Sequence, residues 1–232
     1  MISIVIPVLN EQKALPATLS AIHKQTGSLK WLREIIIVDG GSNDATLSVA
    51  EEYKKNLPNI NVMHAPRGRA SQMNAGAQAA SGQWLLFLHA DTLLPCDAVE
   101  KLYQITQKPH TFAACFKHKF SGRHLGLHFI SWLHNLRFRI TKVMYGDQAI
   151  FVSRSIFFNV GGFPEQNAED ILFSRKLISV CKPKLLNATV ITDSRKFEQM
   201  GVWQALRYVI AIQIQHRRGK PISYYDFFRD YR

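Results

Sequence analysis

This chain has little to build disulfides from. It carries three cysteines, Cys96, Cys115 and Cys181, an odd number with no CxxC pair. That argues against a disulfide framework or a cysteine-based zinc site and suits a reducing compartment. No uncharged apolar run approaches the length needed to span a bilayer. The apolar amino terminus has no basic lead-in and meets Asn10-Glu11 after a short run, which is unlike a signal peptide. A cytoplasmic protein is therefore expected. No GxGxxG follows the first apolar run, and GxxxxGK[ST] is absent. Both a nicotinamide-dinucleotide enzyme and a P-loop ATPase are thereby disfavoured.

Acidic residues are scarce as well. There are 17, against 29 Lys and Arg, for a formal net charge of +12. None lies between Glu100 and Asp147, an interval that holds Lys101, Lys108, Lys117, Lys119, Arg123, Arg137, Arg139 and Lys142. Such a balance attracts phosphorylated ligands, acidic lipid surfaces or nucleic acid. No recognition motif supports nucleic acid, which is not expected as a partner.

What is present is a run of buried-strand segments. Ile2 to Val8 reads as a strand ending at Pro7, followed by Glu34–Val38, Asn61–His64 and Trp84–Leu88. Helical spacing separates them: Leu15, Leu19 and Ile22, then a helix from Asn43 or Asp44 to about Lys55, then Ala70–Ala80. Alternation of this kind predicts an α/β fold whose mostly parallel central sheet carries helices on both faces. The second half is less regular. Strands are expected at Phe112–Phe120 and Ala149–Ser153, and helices at 125–143, Asp170–Val180 and Val202–Gln215, with a turn at Gly161–Pro164. Nothing resembles a linker, so residues 1–232 are expected to form one domain, with halves at 1–107 and 108–232.

The sharpest feature is Trp84-Leu-Leu-Phe-Leu-His89-Ala-Asp91, where an apolar run stops at an imidazole and a carboxylate. In open α/β sheets ligands collect at that end of the strands, and a carboxylate there suits a metal ion that bridges phosphates. A helix cap at Asp91 or Thr92 is the plainer account. Three more polar segments should reach the same edge: Pro7 to Glu11, Asp39 to Asp44, and Arg67-Gly-Arg69 leading into Asn74 and Gly76. Two glycines after Asp39 let backbone approach a ligand, and Arg67 and Arg69 can neutralise phosphate beside a helix amino terminus. Turn glycines, caps and surface arginines would explain each alone; the joint order is far more specific.

That order resembles the family 2 glycosyltransferases of GT-A fold, across nearly the whole chain. The matching stretches are Pro7 to Glu11, Val38 to Thr46, Asn74 to Gly82, the strand into His89-Ala-Asp-Thr, Gly161 to Glu165, and Glu169-Asp170. The His89-Ala-Asp-Thr92 version and Tyr145-Gly-Asp-Gln-Ala149 look like a bacterial subgroup of small soluble members. The resemblance implies a nucleotide-sugar-dependent, hexosyltransferase-like enzyme, inverting, with UDP the favoured carrier. It implies a donor pocket from Pro7, Glu11, Asp39, Ser42, Asp44, Arg67, Arg69, Asn74 and His89. It also implies a divalent metal, manganese or magnesium, held by Asp91. His89 stands where most of the family has a carboxylate, and serves either as a ligand or to orient the site. Asp170, with Glu169, is the expected general base, although acidic residues also favour a helix start.

Asp147, Gln148 and Trp132 are expected on the acceptor side, Asp147 with a structural role as the alternative. Leu125, Phe129, Trp132, Leu133, Leu136, Ile140 and Val143 share one side of their helix. That side can meet an acidic membrane at the inner face, guide a glycan or lipid-linked acceptor, or pack on the sheet. Lys196 can approach the diphosphate from the carboxyl-terminal side. Two rivals remain. A nucleotidyltransferase usually shows a Gly-rich basic loop after the first strand, where this chain has Val8-Leu-Asn-Glu11. A non-catalytic membrane or polyanion binder would have no use for Asp39, Asp91 and Asp170 in one cleft.

Overall fold

The computed structural model describes residues 1–25, 29–57 and 59–217. In chain order it has β1 (Ile2–Val8), α1 (Leu15–His23), β2 (Leu32–Asp39), α2 (Thr46–Tyr53), β3 (Ile60–His64), α3 (Arg69–Ala79), β4 (Trp84–Phe87) and β5 (Thr92–Leu93). There follow α4 (Ala98–Thr106), β6 (Ala113–Phe120), α5 (Leu125–Thr141), β7 (Ile150–Ser153), α6 (Arg154–Asn159), α7 (Glu169–Ile178), β8 (Lys184–Thr192), α8 (Arg195–Met200) and α9 (Val202–Arg217). The eight strands form one sheet in the order β3-β2-β1-β4-β7-β6-β8-β5. Pairs β3–β2, β2–β1, β1–β4 and β6–β8 are parallel; the rest are antiparallel. The sheet is the α/β one expected, with its second half more mixed than its first. It runs through strands from both halves of the described residues, and the buried clusters draw on both.

Strand alternation explains the two layers of that core. Ile2, Ile4, Ile6 and Val8 of β1 pack with Leu15, Leu19 and Ile22 of α1 and with Leu102 of α4. Val5 faces the other side with Ala70, Met73 and Ala77 of α3 and a group of phenylalanines, Phe87, Phe157, Phe163 and Phe173. Full burial of each such side chain contributes about 1.5–3 kcal/mol.

Three expectations are adjusted. β1 runs one residue past Pro7. The Val5 carbonyl accepts from Leu88 N on the β4 side, so two residues on the Pro7 nitrogen faces that same side. The β1–β4 ladder has stopped at Val5–Phe87, and a missing N–H costs nothing there. β8 was not anticipated, although its buried Leu186, Ala188, Val190 and Thr192 alternate with exposed neighbours. Finally, α5 buries Gly126, Leu127, Ile130, Ser131 and Phe138. The side bearing Leu125, Phe129, Trp132 and Ile140 points outward. Leu127, Ile130 and Phe138 anchor the buried side, and polar bonds add to it: Ser131 Oγ accepts from Phe120 N, Asn135 exchanges two bonds with the His118 backbone, and Arg137 donates to Gln148.

Candidate active site

At the carboxyl ends of β1 and β2, two of the sequence motifs lock together. Asn10 N donates to Ser42 Oγ (2.9 Å), Asn43 N to Asn10 Oδ1 (2.9 Å), Glu11 N to Thr46 Oγ1 (2.7 Å) and Gln12 N to Asp44 Oδ2 (3.2 Å). Asp39, 1% exposed, accepts from the amides of Gly41 and Ser42 and faces His64 Nδ1 at 3.3 Å. Burial raises its carboxyl, but these hydrogen bonds outweigh that and hold it below the ordinary value. From α3, Gln72 Nε2 donates to both Val8 O and Val38 O at 2.7 Å, tying the two strand ends. Asn10 holds a φ of 56°, and Gly41 one of 94°. A non-glycine residue in that region persists only where its surroundings over-determine it.

Beside this loop pair opens a cavity of about 1060 Å³. Arg67, Arg69, His89, Asp91, Asp147, Glu169, Asp170, Asp193 and Lys196 line its polar end. The antiparallel pairing of β5 with β8 sets Thr92 opposite Thr192, and Asp193 N donates to Asp91 O at 3.1 Å. Asp193 thus joins Asp91. Burial and Asp193 push the Asp91 carboxyl up, against the pull of Arg69. Arg69 Nη1 lies 3.4 Å from Glu169 Oε1. Burial raises Glu169, opposed by Arg69 and assisted by Asp170. At the start of α7, Asp170 Oδ2 accepts from Gly146 N (2.7 Å) and Oδ1 from Ile171 N (2.8 Å). The residue before this pair, Ala168, has a φ of 62°. His89 presses on Gly146 so closely that a Cβ there would lie 2.5 Å from its Cε1 and Nε2. The one-carbon deficit of Gly146 lets His89 and Asp170 approach the same backbone.

Asp147 lines the same cavity, with the buried His118 Nε2 at 3.6 Å and His134 Nε2 at 3.4 Å. Burial, aided by the charge of Arg137, pushes His118 down to about 3 and His134 well down. Burial lifts Asp147 to about 7, with Asp170 and Asp91 adding to the rise against Arg137 and Arg69. Arg137 itself stacks 3.3 Å over the Tyr145 ring.

Two groups offer metal donors. His118, His134 and Asp147 have one ligating atom each within 4.8 Å of one another. The guanidinium beside them, close enough to depress both imidazoles, opposes a second cation there. The Asp91 carboxylate gives hard oxygens, with His89 lining the same cavity, and Asp193 repels it from nearby; Asp193 is paired through both oxygens with Arg195, at 2.7 Å each, and would exchange part of that pairing for an ion. Those groups fit a divalent ion completed by phosphate oxygens, which a magnesium-type site requires.

The structure brings Arg67, Arg69, His89, Asp91, Asp147, Glu169 and Asp170 into one cavity. Pro7, Glu11, Asp39, Ser42 and Asp44 lie in the adjoining strand ends and loops rather than on that lining. Asn74 is turned elsewhere: its amide pairs both ways with the Phe163 backbone, at 2.8 and 2.9 Å. Gln148 is fully buried and bonds to Tyr145 N, Arg137 and Phe116 O. Trp132 is 57% exposed and is not on the lining. The sequence reading missed Asp193, for which the β8 alternation marks a strand end but not the pairing that carries it to Asp91, and the clamp role of Gln72. A second depression, of about 660 Å³ around Gly82, Trp84 and Arg154, has no carboxylate on its lining.

Residues 3–163 match the model of the family described as "Glycosyl transferase family 2". A "PGL/p-HBAD biosynthesis glycosyltransferase" of Mycobacterium bovis is 43% identical over 97 residues, 40% of this chain and 36% of that protein. Among solved structures, a mannosyltransferase from Pyrobaculum calidifontis in complex with GDP-Man and Mn2+ superposes with a TM-score of 0.72 at 20% identity, covering 94% of this chain and 63% of that one. S. aureus TarS 1-349 in complex with UDP-GlcNAc gives 0.70 at 22% identity, covering 84% and 58%. The chain thus spans less than two thirds of each of these three. The structural likeness identifies the fold as GT-A.

Proposed function

The chain belongs to glycosyltransferase family 2, and from that membership we propose that it is a metal-dependent, inverting glycosyltransferase using a nucleotide-diphospho-sugar, with UDP as carrier. One observation carries the reading: the same cavity joins Asp91, the cations Arg67, Arg69 and Lys196, and the carboxylate Asp170. The donor nucleotide would lie along the strand-end loops of Pro7, Glu11, Asp39, Ser42 and Asp44, its diphosphate toward Arg67 and Arg69. A divalent ion, manganese or magnesium, would be held by Asp91 with Asp193, and His89 would orient the site or join them. Bound there, it would stabilise charge on the departing diphosphate.

The acceptor hydroxyl would sit between Asp147 and Asp170. Asp170 takes its proton as the oxygen attacks the anomeric carbon; the bond from that carbon to the phosphate oxygen breaks, and its electron pair leaves with the nucleoside diphosphate. Two backbone amides fix the Asp170 carboxylate, so little reorganisation accompanies the step. Glu169, paired with Arg69, holds that arginine at the diphosphate. The acceptor is a glycan or a lipid-linked hydroxyl, met in the cytoplasm or at the inner face of a membrane.

Nucleotide release from UDP-, GDP- and dTDP-sugars, with and without manganese and beside an Asp91→Ala control, tests this. Metal-dependent release from one donor, lost in the control, supports the reading. No turnover and no donor-induced thermal shift across the panel would move the weight to a non-catalytic polyanion binder.

A further inference from the structure

Helix α5 carries more apolar surface than its packing uses. A helix on a soluble domain ordinarily turns its apolar side inward; α5 buries Leu127, Ile130 and Phe138 and still leaves Leu125 83%, Trp132 57% and Ile140 73% exposed on its outer side. The adjacent helix α9 adds Trp203 at 60%, with Ile210 and Ile214 also exposed. Contiguous exposed apolar surface of this kind marks an interaction site. Its charge is one-sided. Neither α5 nor α9 contains an acidic residue, while Arg139, Lys142 and Arg207 are exposed on or beside them. The acidic groups near these helices are Glu198 of α8, which accepts from Ser194, Asp193, which pairs with Arg195, and Glu165 at the cavity rim.

The patch is also continuous with the candidate active site. Leu136 and Ile140 of α5 and Leu206 and Ile210 of α9 line the same cavity as Asp91 and Asp170. Among the described residues no helix is long and apolar enough to cross a membrane. Contact with a bilayer through this face would be peripheral.

We propose that the α5–α9 face docks on an anionic lipid bilayer and that the cavity opens onto it, so that the acceptor is an amphiphile whose apolar tail lies between these helices. The identification of an acceptor rests on the glycosyltransferase reading; the docking does not. Apolar side chains enter the interface while the flanking cations meet acidic headgroups, each contributing about 1 kcal/mol, or roughly fivefold in binding.

Flotation of the full chain with vesicles separates the two. The wild type rises with phosphatidylglycerol-containing vesicles and less with pure phosphatidylcholine, and added salt weakens binding. Arg139→Ala lowers the bound fraction about fivefold. Leu125→Glu with Phe129→Glu, neither of which lines the cavity, abolishes flotation while nucleotide release from the donor is retained. Then, with labelled donor and extracted membrane lipid, label passes to the organic phase. A wild type that stays in the lipid-free fraction overturns the docking. So does a Leu125→Glu/Phe129→Glu variant that turns a wild-type dimer into a monomer, because a second copy would then own the patch. Label that enters only water-soluble product overturns the amphiphilic acceptor. Loss of donor turnover altogether would instead sink the glycosyltransferase reading and leave the flotation result standing.

Discussion

Asp147 is the residue where burial and charge conflict most openly. Its carboxyl, ordinarily near 3.8, is lifted to about 7 by burial, with Asp170 and Asp91 assisting. The folded state therefore keeps a proton that the unfolded chain has released between those values, and stability falls as pH rises through that window. His118 has the opposite sign: its stabilisation is present above about 6.5 and is lost as pH falls toward 3. In a comparison of wild type with Asp147→Asn the histidine contribution largely cancels. The melting temperature of the variant minus that of the wild type should be more positive near about pH 8 than near about pH 5, by up to about 2–4 kcal/mol in stability. Scans in chelator would check it, and an equal difference at both pH values would refute the conflict. At Asp170 the expectation is kinetic. Asparagine keeps an oxygen for the Gly146 amide but cannot take a proton. Asp170→Asn should lower transfer kcat about 10²–10⁴-fold and retain the donor-induced thermal shift, whereas Asp91→Asn should lose turnover and the metal-dependent part of that shift.

Among the elements, α3 shows how a motif residue can be structural. Asn74 satisfies both the N–H and the C=O of Phe163, pinning α3 to the Gly161–Phe163 turn. Asn74→Ala leaves that buried amide without its acceptor, and should cost about 1–3 kcal/mol in denaturant unfolding with donor Kd unchanged. A tenfold weaker donor Kd at unchanged stability would instead return Asn74 to the donor set. Gly146→Ala would drive a methyl into His89; loss of about 1–3 kcal/mol and of turnover together is expected. Strands β1, β2 and β4 were legible because they are largely apolar on both faces and end in polar loops. The orientation of α5 was not. Periodicity finds an apolar side, but α5 is apolar on two: Leu127, Ile130 and Phe138 pack inward together with the hydrogen bonds of Ser131, Asn135 and Arg137, and the Leu125–Phe129–Trp132 side is left out. β8 carried a usable period-2 signal that its mixed composition, with Asn187 exposed and Ala188 buried, made weak.

For the whole molecule, motif order was enough to announce that four loops meet at one sheet edge, since a parallel α/β topology puts strand ends there. It did not reveal Asp193, because the β5–β8 pairing joins Thr92 to Thr192 with no local cue across that separation. That pairing governs how the metal should behave. A divalent ion of the magnesium class needs about six oxygens, and Asp91 with Asp193 supplies only part of the set. The remainder must come from the donor diphosphate and water, so ion and nucleotide should stabilise the fold jointly. Manganese alone and UDP alone are each expected to give small thermal shifts, and both together a shift larger than their sum, corresponding to about 2.7 kcal/mol at a hundredfold excess over Kd. Asp193→Asn should remove the excess while the UDP-only shift survives, since in the proposed site that residue would serve the ion rather than the strand-end loops. If manganese alone produced the full shift, UDP added nothing, and His118→Asn abolished it, the ion would sit on His118, His134 and Asp147 instead. The repulsion assigned to Arg137 would then be the argument at fault.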